Sequence, residues 1–75
     1  LSLGGFASRI ERAIVDFNEA IRLDPDLAAA FGNRAIAYSL LGRDEEAISD
    51  LRAVEELGLD TAPLREVIAN LEPLR

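Results

Sequence analysis

Arg9-Ile10-Glu11-Arg12-Ala13-Ile14-Val15-Asp16-Phe17 returns further along the chain as Arg43-Asp44-Glu45-Glu46-Ala47-Ile48-Ser49-Asp50-Leu51. The two stretches share Arg, Glu, Ala, Ile and Asp at equal offsets and end on an aromatic-to-aliphatic exchange; Leu23 and Leu57 then match at the same offset. A period of this length is one supersecondary unit that cannot bury its own apolar face, so neighbouring units stack to make a core. Stacked units build surfaces rather than enclosed active sites, which directs the functional reading toward binding.

Working outward from the repeated stretch, Ile10, Ala13, Ile14, Phe17, Ala20 and Ile21 recur at helical spacing, with Arg12, Asp16, Glu19 and Arg22 elsewhere. This predicts an amphipathic helix over 9–23, opened by the capping box Ser8-Arg9-Ile10-Glu11. Residues 1–8, with Gly4-Gly5, read as a frayed lead-in. Asp24-Pro25-Asp26 ends the first helix and starts a second over 25–41, because proline cannot continue a helix but suits the first turn of one. That second helix is apolar almost all round, with Asn33, Arg34 and Ser39 its polar residues in the middle, so it is expected to be buried on more than one side. Gly42 closes it. The third helix is expected over 44–57, with Asp44-Glu45-Glu46 in its favourable first turn and Gly58 at its end. A fourth, over 61–72, follows a cap at Asp60 or Thr61, carries Pro63 early and stops before Pro73, with Leu64, Val67, Ile68 and Leu71 on one side. Short connections make successive helices antiparallel neighbours.

At 75 residues the chain reads as a single small all-helical domain, and a hydrophobic content of 49% dominated by Ala and Leu suits close helix packing. It contains no Cys, His, Met, Trp or Lys. That removes disulfides, the usual zinc ligands, thiol–imidazole and Ser–His pairs, and lysine Schiff bases, so no catalytic residue, cofactor site or metal site is expected. Fourteen acidic residues against eight arginines give a net charge of −6. Such a surface, with its arginines scattered, disfavours nucleic acid and anionic lipid as partners. No apolar run approaches the roughly 18 residues of a membrane span, and no leader pattern is visible, so a soluble chain is expected, with the cytoplasm as default compartment. The acidic runs Asp44-Glu45-Glu46 and Glu55-Glu56 read as solvated faces, since adjacent helical residues point in different directions.

In Phe31-Gly32-Asn33-Arg34-Ala35-Ile36-Ala37-Tyr38 the aromatic, the small Ala35 and the Tyr resemble the first-helix signature of the tetratricopeptide repeat, a helix–turn–helix unit of the same period. Leu41-Gly42, Ala47, Leu51 and Val54 resemble its turn and second helix. Two departures stand out: Arg34 where the family usually has Leu, and Leu59 where a closing Pro is expected. The first helix matches the second helix of a preceding repeat through Ala13, Phe17, Ala20, Asp24 and Pro25. The resemblance implies an all-α, TPR-like α-solenoid fragment of antiparallel helix pairs, with a central repeat at 28–61 and a C-terminal capping helix within 62–75.

The resemblance also implies a concave groove lined by first helices, binding a peptide or helix of a partner protein. Its positions here are Ala29, Gly32, Asn33, Ile36, Ser39 and Leu40 on the second helix, and Pro63, Glu66, Val67 and Asn70 on the fourth. Small side chains there leave room for a ligand backbone, and the Asn amides are able to pair with it. Members that grip a terminal carboxylate use cations which these positions lack, so an apolar segment or helix is the expected ligand. Phe17, Phe31 and Tyr38 read as packing residues. Arg34 is expected to pair internally, with Asp16 or Asp50.

An alternative role is homo-oligomeric assembly, a homodimer for example, through the stripe Ile10, Ile14, Phe17 and Ile21, which is expected to be partly exposed because the first helix lacks its usual cover. A carrier domain is a weaker third reading: Glu55-Glu56-Leu57-Gly58-Leu59-Asp60-Thr61 loosely resembles the segment before the modified Ser of acyl carrier proteins, with Thr61 in the modified position.

Overall fold

A computed structural model describes residues 3–71 and 73 as four helices: α1 (Leu3–Leu23), α2 (Ala28–Leu40), α3 (Asp44–Glu56) and α4 (Ala62–Leu71). Positions 1 and 2 of the expected lead-in and position 72 of the expected fourth helix lie outside the described residues. Helices α2 and α3 each end one residue earlier than expected, and the starts of α1, α2 and α4 also differ. Helix α1 begins at Leu3, so Leu3 to Ala7 belong to the helix and Ser8 and Glu11 lie inside it instead of capping it. Once a helix is nucleated each added residue gains a hydrogen bond, and Phe6 and Ala7 extend the spacing of Ile10 by one turn, which outweighs the local cost of Gly4-Gly5. Helix α2 starts three residues after Pro25. The Asp24 carboxylate accepts the Asp26 N–H at 3.2 Å and the Asp24 carbonyl accepts the Leu27 N–H at 3.1 Å, so Pro25 stands in a turn between the helices. Helix α4 is one residue shorter than expected at its start, where the Asp60 carboxylate accepts the Ala62 N–H at 3.0 Å.

Helix α2 is the centre of the molecule, packing against α1, α3 and α4. Its buried positions are all small: Ala30, Gly32, Ala35, Ala37 and Ser39. Small residues on several sides let three helices approach one axis, and that is why the helix can be apolar almost all round. The core cluster joins Ala35 of α2 to Ala47 and Leu51 of α3, with Tyr38 and with Leu64 and Ile68 of α4 packed against it.

The α2–α3 connection ends α2 tightly. The Arg43 N–H bonds the Tyr38 carbonyl at 2.9 Å and the Gly42 N–H bonds the Ser39 carbonyl at 3.0 Å, with Gly42 at φ +75°. These paired bonds satisfy two of the last helix carbonyls and require a left-handed residue between them. Nothing lies within 4 Å of where a Gly42 Cβ would sit. Gly42→Ala should therefore cost only the backbone penalty, about 1 kcal/mol, seen as a lowered midpoint in thermal unfolding followed by circular dichroism; an unchanged midpoint contradicts the left-handed conformation.

Candidate protein-binding surface

Within α2 only Ala29 and Asn33 are exposed, and Ile36 and Leu40 beside them are half-buried. These four follow i, i+4, i+7 and i+11, a single stripe along the helix. Gly32 and Ser39 were expected to share this surface, and they do not. Gly32 is buried with the Leu64 side chain of α4 lying over it, and Ser39 is 0% exposed. Each stands one residue around the helix from the open stripe, a rotation of about 100° that carries it under neighbouring packing. On α4, Pro63, Glu66, Val67 and Asn70 are all exposed. One period separates Asn33 from its counterpart Val67, Ile36 from Asn70 and Ala29 from Pro63. Of the expected groove positions, Ala29 and Asn33 of α2 with Val67 and Asn70 of α4 are exposed, and Ile36 and Leu40 are half-buried.

The stripe Ile10, Ile14, Phe17 and Ile21 is partly exposed, as expected, at every position but Ile14. Ile14 is buried and the other three are half-buried. Phe31 and Tyr38 are likewise half-buried.

Arg34 pairs with Asp50 and not with Asp16. Its Nε and Nη2 donate to the two Asp50 carboxylate oxygens at 2.8 and 2.6 Å, and its Nη1 donates to the Asn18 side-chain carbonyl at 2.8 Å. One side chain of α2 thereby ties α1 to α3. The Asp50 side chain is 4% exposed and that of Arg34 19%, so the pair is largely withdrawn from water. The hydrogen bonds to Asp50 raise the Arg34 pKa above its ordinary value. The guanidinium also lies 5.5 Å from the Phe31 ring centre and 5.7 Å from that of Tyr38, within cation–π range. Asp16 pairs instead with Arg12 on the solvent side of α1, at 3.2 Å.

Thr61 is buried, donates its hydroxyl hydrogen to Glu55 at 3.1 Å and accepts from Arg65 Nε at 3.0 Å. It is a joint between α3 and α4, which overturns its reading as an accessible attachment point. Of the acidic runs, Glu46 is held by Arg43 and Glu55 by Thr61 and Arg65. Among the described residues no three His, Cys, Asp or Glu side chains are grouped to hold a metal ion, and no helix is long and apolar enough to cross a membrane.

Sequence reasoning missed a second surface. A cleft of about 350 Å³ lies between α3 and α4, lined by Asp44, Ile48, Leu51, Arg65, Ile68 and Ala69. The available signal was Ile48, whose repeat counterpart Ile14 is buried while Ile48 itself is 44% exposed.

Antiparallel helix pairs recurring at one fixed period around a small-residue core define a helical-repeat protein of the α-solenoid class. The family profiles agree: that described as TPR repeat matches residues 8–42 and that described as Tetratricopeptide repeat matches residues 28–57. The chain belongs to the tetratricopeptide repeat family. Repeats of this family mediate protein–protein interaction and are typically non-catalytic. No curated protein and no solved structure matches the chain significantly.

Proposed function

We propose that the chain is a non-catalytic interaction module that receives an apolar peptide segment or helix of a partner protein in the shallow groove of α2 and α4. The observation carrying this reading is the correspondence of exposed positions: Ala29 and Asn33 on α2 have Pro63 and Val67 as counterparts on α4, all exposed, and the two helices pack side by side. Such a row offers small side chains for close approach, an apolar contact at Val67 and amides at Asn33 and Asn70 to pair with ligand backbone. Neither arginine of these helices, Arg34 or Arg65, belongs to the row; Arg34 is engaged with Asp50 and Arg65 with Thr61 and Glu55. A terminal carboxylate is therefore not the anchor.

The test is selection of peptides from a displayed random library, followed by fluorescence anisotropy titration of the selected peptides against parent and variants. Val67→Glu places a charge in the apolar contact and should weaken binding about tenfold or more. Asn33→Ala removes one amide pair and should weaken it about fivefold. Both residues are exposed, so the fold is retained. Selected peptides that bind both variants as they bind the parent would remove the groove from consideration.

A further inference from the structure

Asp24 and Asp26 of the α1–α2 turn, Glu55 and Glu56 at the end of α3, and Asp60 of the α3–α4 turn are all exposed acids. Three of them help to build these turns. The Asp24 carboxylate accepts the Asp26 N–H, that of Asp60 accepts the Ala62 N–H, and Glu55 accepts from Thr61 and Arg65. Among the described residues the side chains of Asp26 and Glu56 have no hydrogen-bond or ion-pair partner. Arg22, the arginine closest to Asp26 along the chain, is held by Glu19, and Arg52, one turn before Glu56, does not pair with it.

The two unpaired carboxylates line one depression. It measures about 230 Å³ and is formed by Pro25, Asp26, Phe31, Ala53, Glu56 and Leu57, so its acids come from separate elements and the rest of its wall is apolar. The α1–α2 turn, α2 and α3 build it, each with a helix before and after it in the chain. Glu56 also stands in the last turn of α3, where the helix dipole disfavours a negative charge, and that turn holds no basic residue to offset it. A cation placed there gains from the carboxylate and from the dipole together. Phe31 adds an aromatic ring to the wall. The molecule already uses this combination once: the Arg34 guanidinium lies 5.5 Å from the Phe31 ring centre while both Asp50 oxygens accept from it. Because Asp50 neutralises Arg34, little net charge is left there to repel a second cation.

We propose that this depression receives an arginine side chain from a basic segment of a partner protein. The methylene stem lies along Pro25, Ala53 and Leu57 while the guanidinium is held between Asp26 and Glu56. Arginine suits the site better than lysine. Its planar fork donates to two carboxylates on separate elements, stacks on an aromatic ring and is less strongly hydrated than an ammonium. The net charge of −6 draws a basic segment toward the molecule, and the depression decides where it docks. This surface is separate from the α2–α4 groove, and the proposal stands whether or not that groove binds peptide.

The probe is a short alanine–glycine peptide with one central arginine and both ends blocked, titrated into the isotope-labelled full chain and followed by amide chemical shifts. Saturable shifts should centre on Asp26, Phe31, Ala53, Glu56 and Leu57, and they should vanish when citrulline, a neutral isostere, replaces the arginine. Lysine in its place should bind about threefold more weakly. Asp26→Asn and Glu56→Gln each remove one charged acceptor and should weaken the arginine peptide about fivefold. Glu45→Gln removes the same charge from the opposite end of α3 and should leave binding unchanged. All three residues are exposed, and circular dichroism on each variant separates loss of binding from loss of fold. Shifts spread over the acidic residues at large, or centred on Asn33, Val67 and Asn70, would overturn the proposal. So would a citrulline or lysine peptide that binds as tightly as the arginine peptide, an Asp26→Asn or Glu56→Gln variant that binds like the parent, or a Glu45→Gln variant weakened as much as Glu56→Gln.

Discussion

Replacing Arg34 with alanine is expected to destabilise the protein by about 3 kcal/mol, the lower part of the range for removing one partner of a buried ion pair. The cost arises at Asp50, whose carboxylate is 4% exposed and accepts two hydrogen bonds from that guanidinium. Without it a charge is left in a site from which water is nearly excluded. The Asn18 bond between α1 and α2 is lost at the same time. Arg34→Leu combined with Asp50→Ala should recover most of the loss, because an apolar replacement of the whole pair leaves no uncompensated charge. Urea unfolding of the parent, Arg34→Leu, Asp50→Ala and the double variant gives the coupling directly. A single Arg34→Ala variant within about 0.5 kcal/mol of the parent would show that the pair contributes little. The pair is not a switch on the alkaline side. A raised Arg34 pKa means that its contribution is fully present below the unfolded arginine value, and it fades only as pH rises through the still higher folded one.

Gly32→Leu should loosen α4 and cost about 2 kcal/mol or more. A Cβ added at Gly32 would stand 3.1 Å from Leu64 Cδ1 and 3.5 Å from Cδ2. Alanine there requires Leu64 to give way by a few tenths of an ångström, whereas leucine needs the volume Leu64 occupies. Helix α4 has no buried residue, and Leu64 and Ile68 are its contacts with the core cluster, so it is the element that yields. Hydrogen exchange followed by mass spectrometry should show peptides spanning 62–71 losing protection while those of α2 and α3 keep most of theirs. Unchanged protection across 62–71 would refute this account. The result also separates two roles for Gly32: a groove position would change ligand binding alone, whereas a packing position changes α4 first.

The fold was legible because its main signals are periodic. Recurrence of Ala13, Ile14 and Phe17 as Ala47, Ile48 and Leu51 fixed the repeat, and the nearly all-apolar run from Leu27 to Leu41 showed that one helix is surrounded. Helix ends were less legible. Ser8 and Glu11 form a good capping pattern, yet a continuing apolar stripe upstream overrode it, and Pro25 was equally suited to a helix start and to a turn. For the groove, spacing from Phe31 located the open stripe of Ala29, Asn33, Ile36 and Leu40, but it could not show that Leu64 spreads over Gly32. Asp16 and Asp50 occupy equivalent repeat positions, so the sequence offered Arg34 both; Asp16 ends on the solvent side of α1.

By itself the sequence determined the repeat period, the number and order of helices and the burial of α2, because each is a property of spacing along one chain. Tertiary structure decided the rest: which flank of α2 lies under α4, which aspartate receives Arg34, and that an apolar cleft stays open between α3 and α4. These are contacts between residues of different helices. Helical periodicity says which way a side chain points, and only the separation and crossing of the packed helices says what it meets.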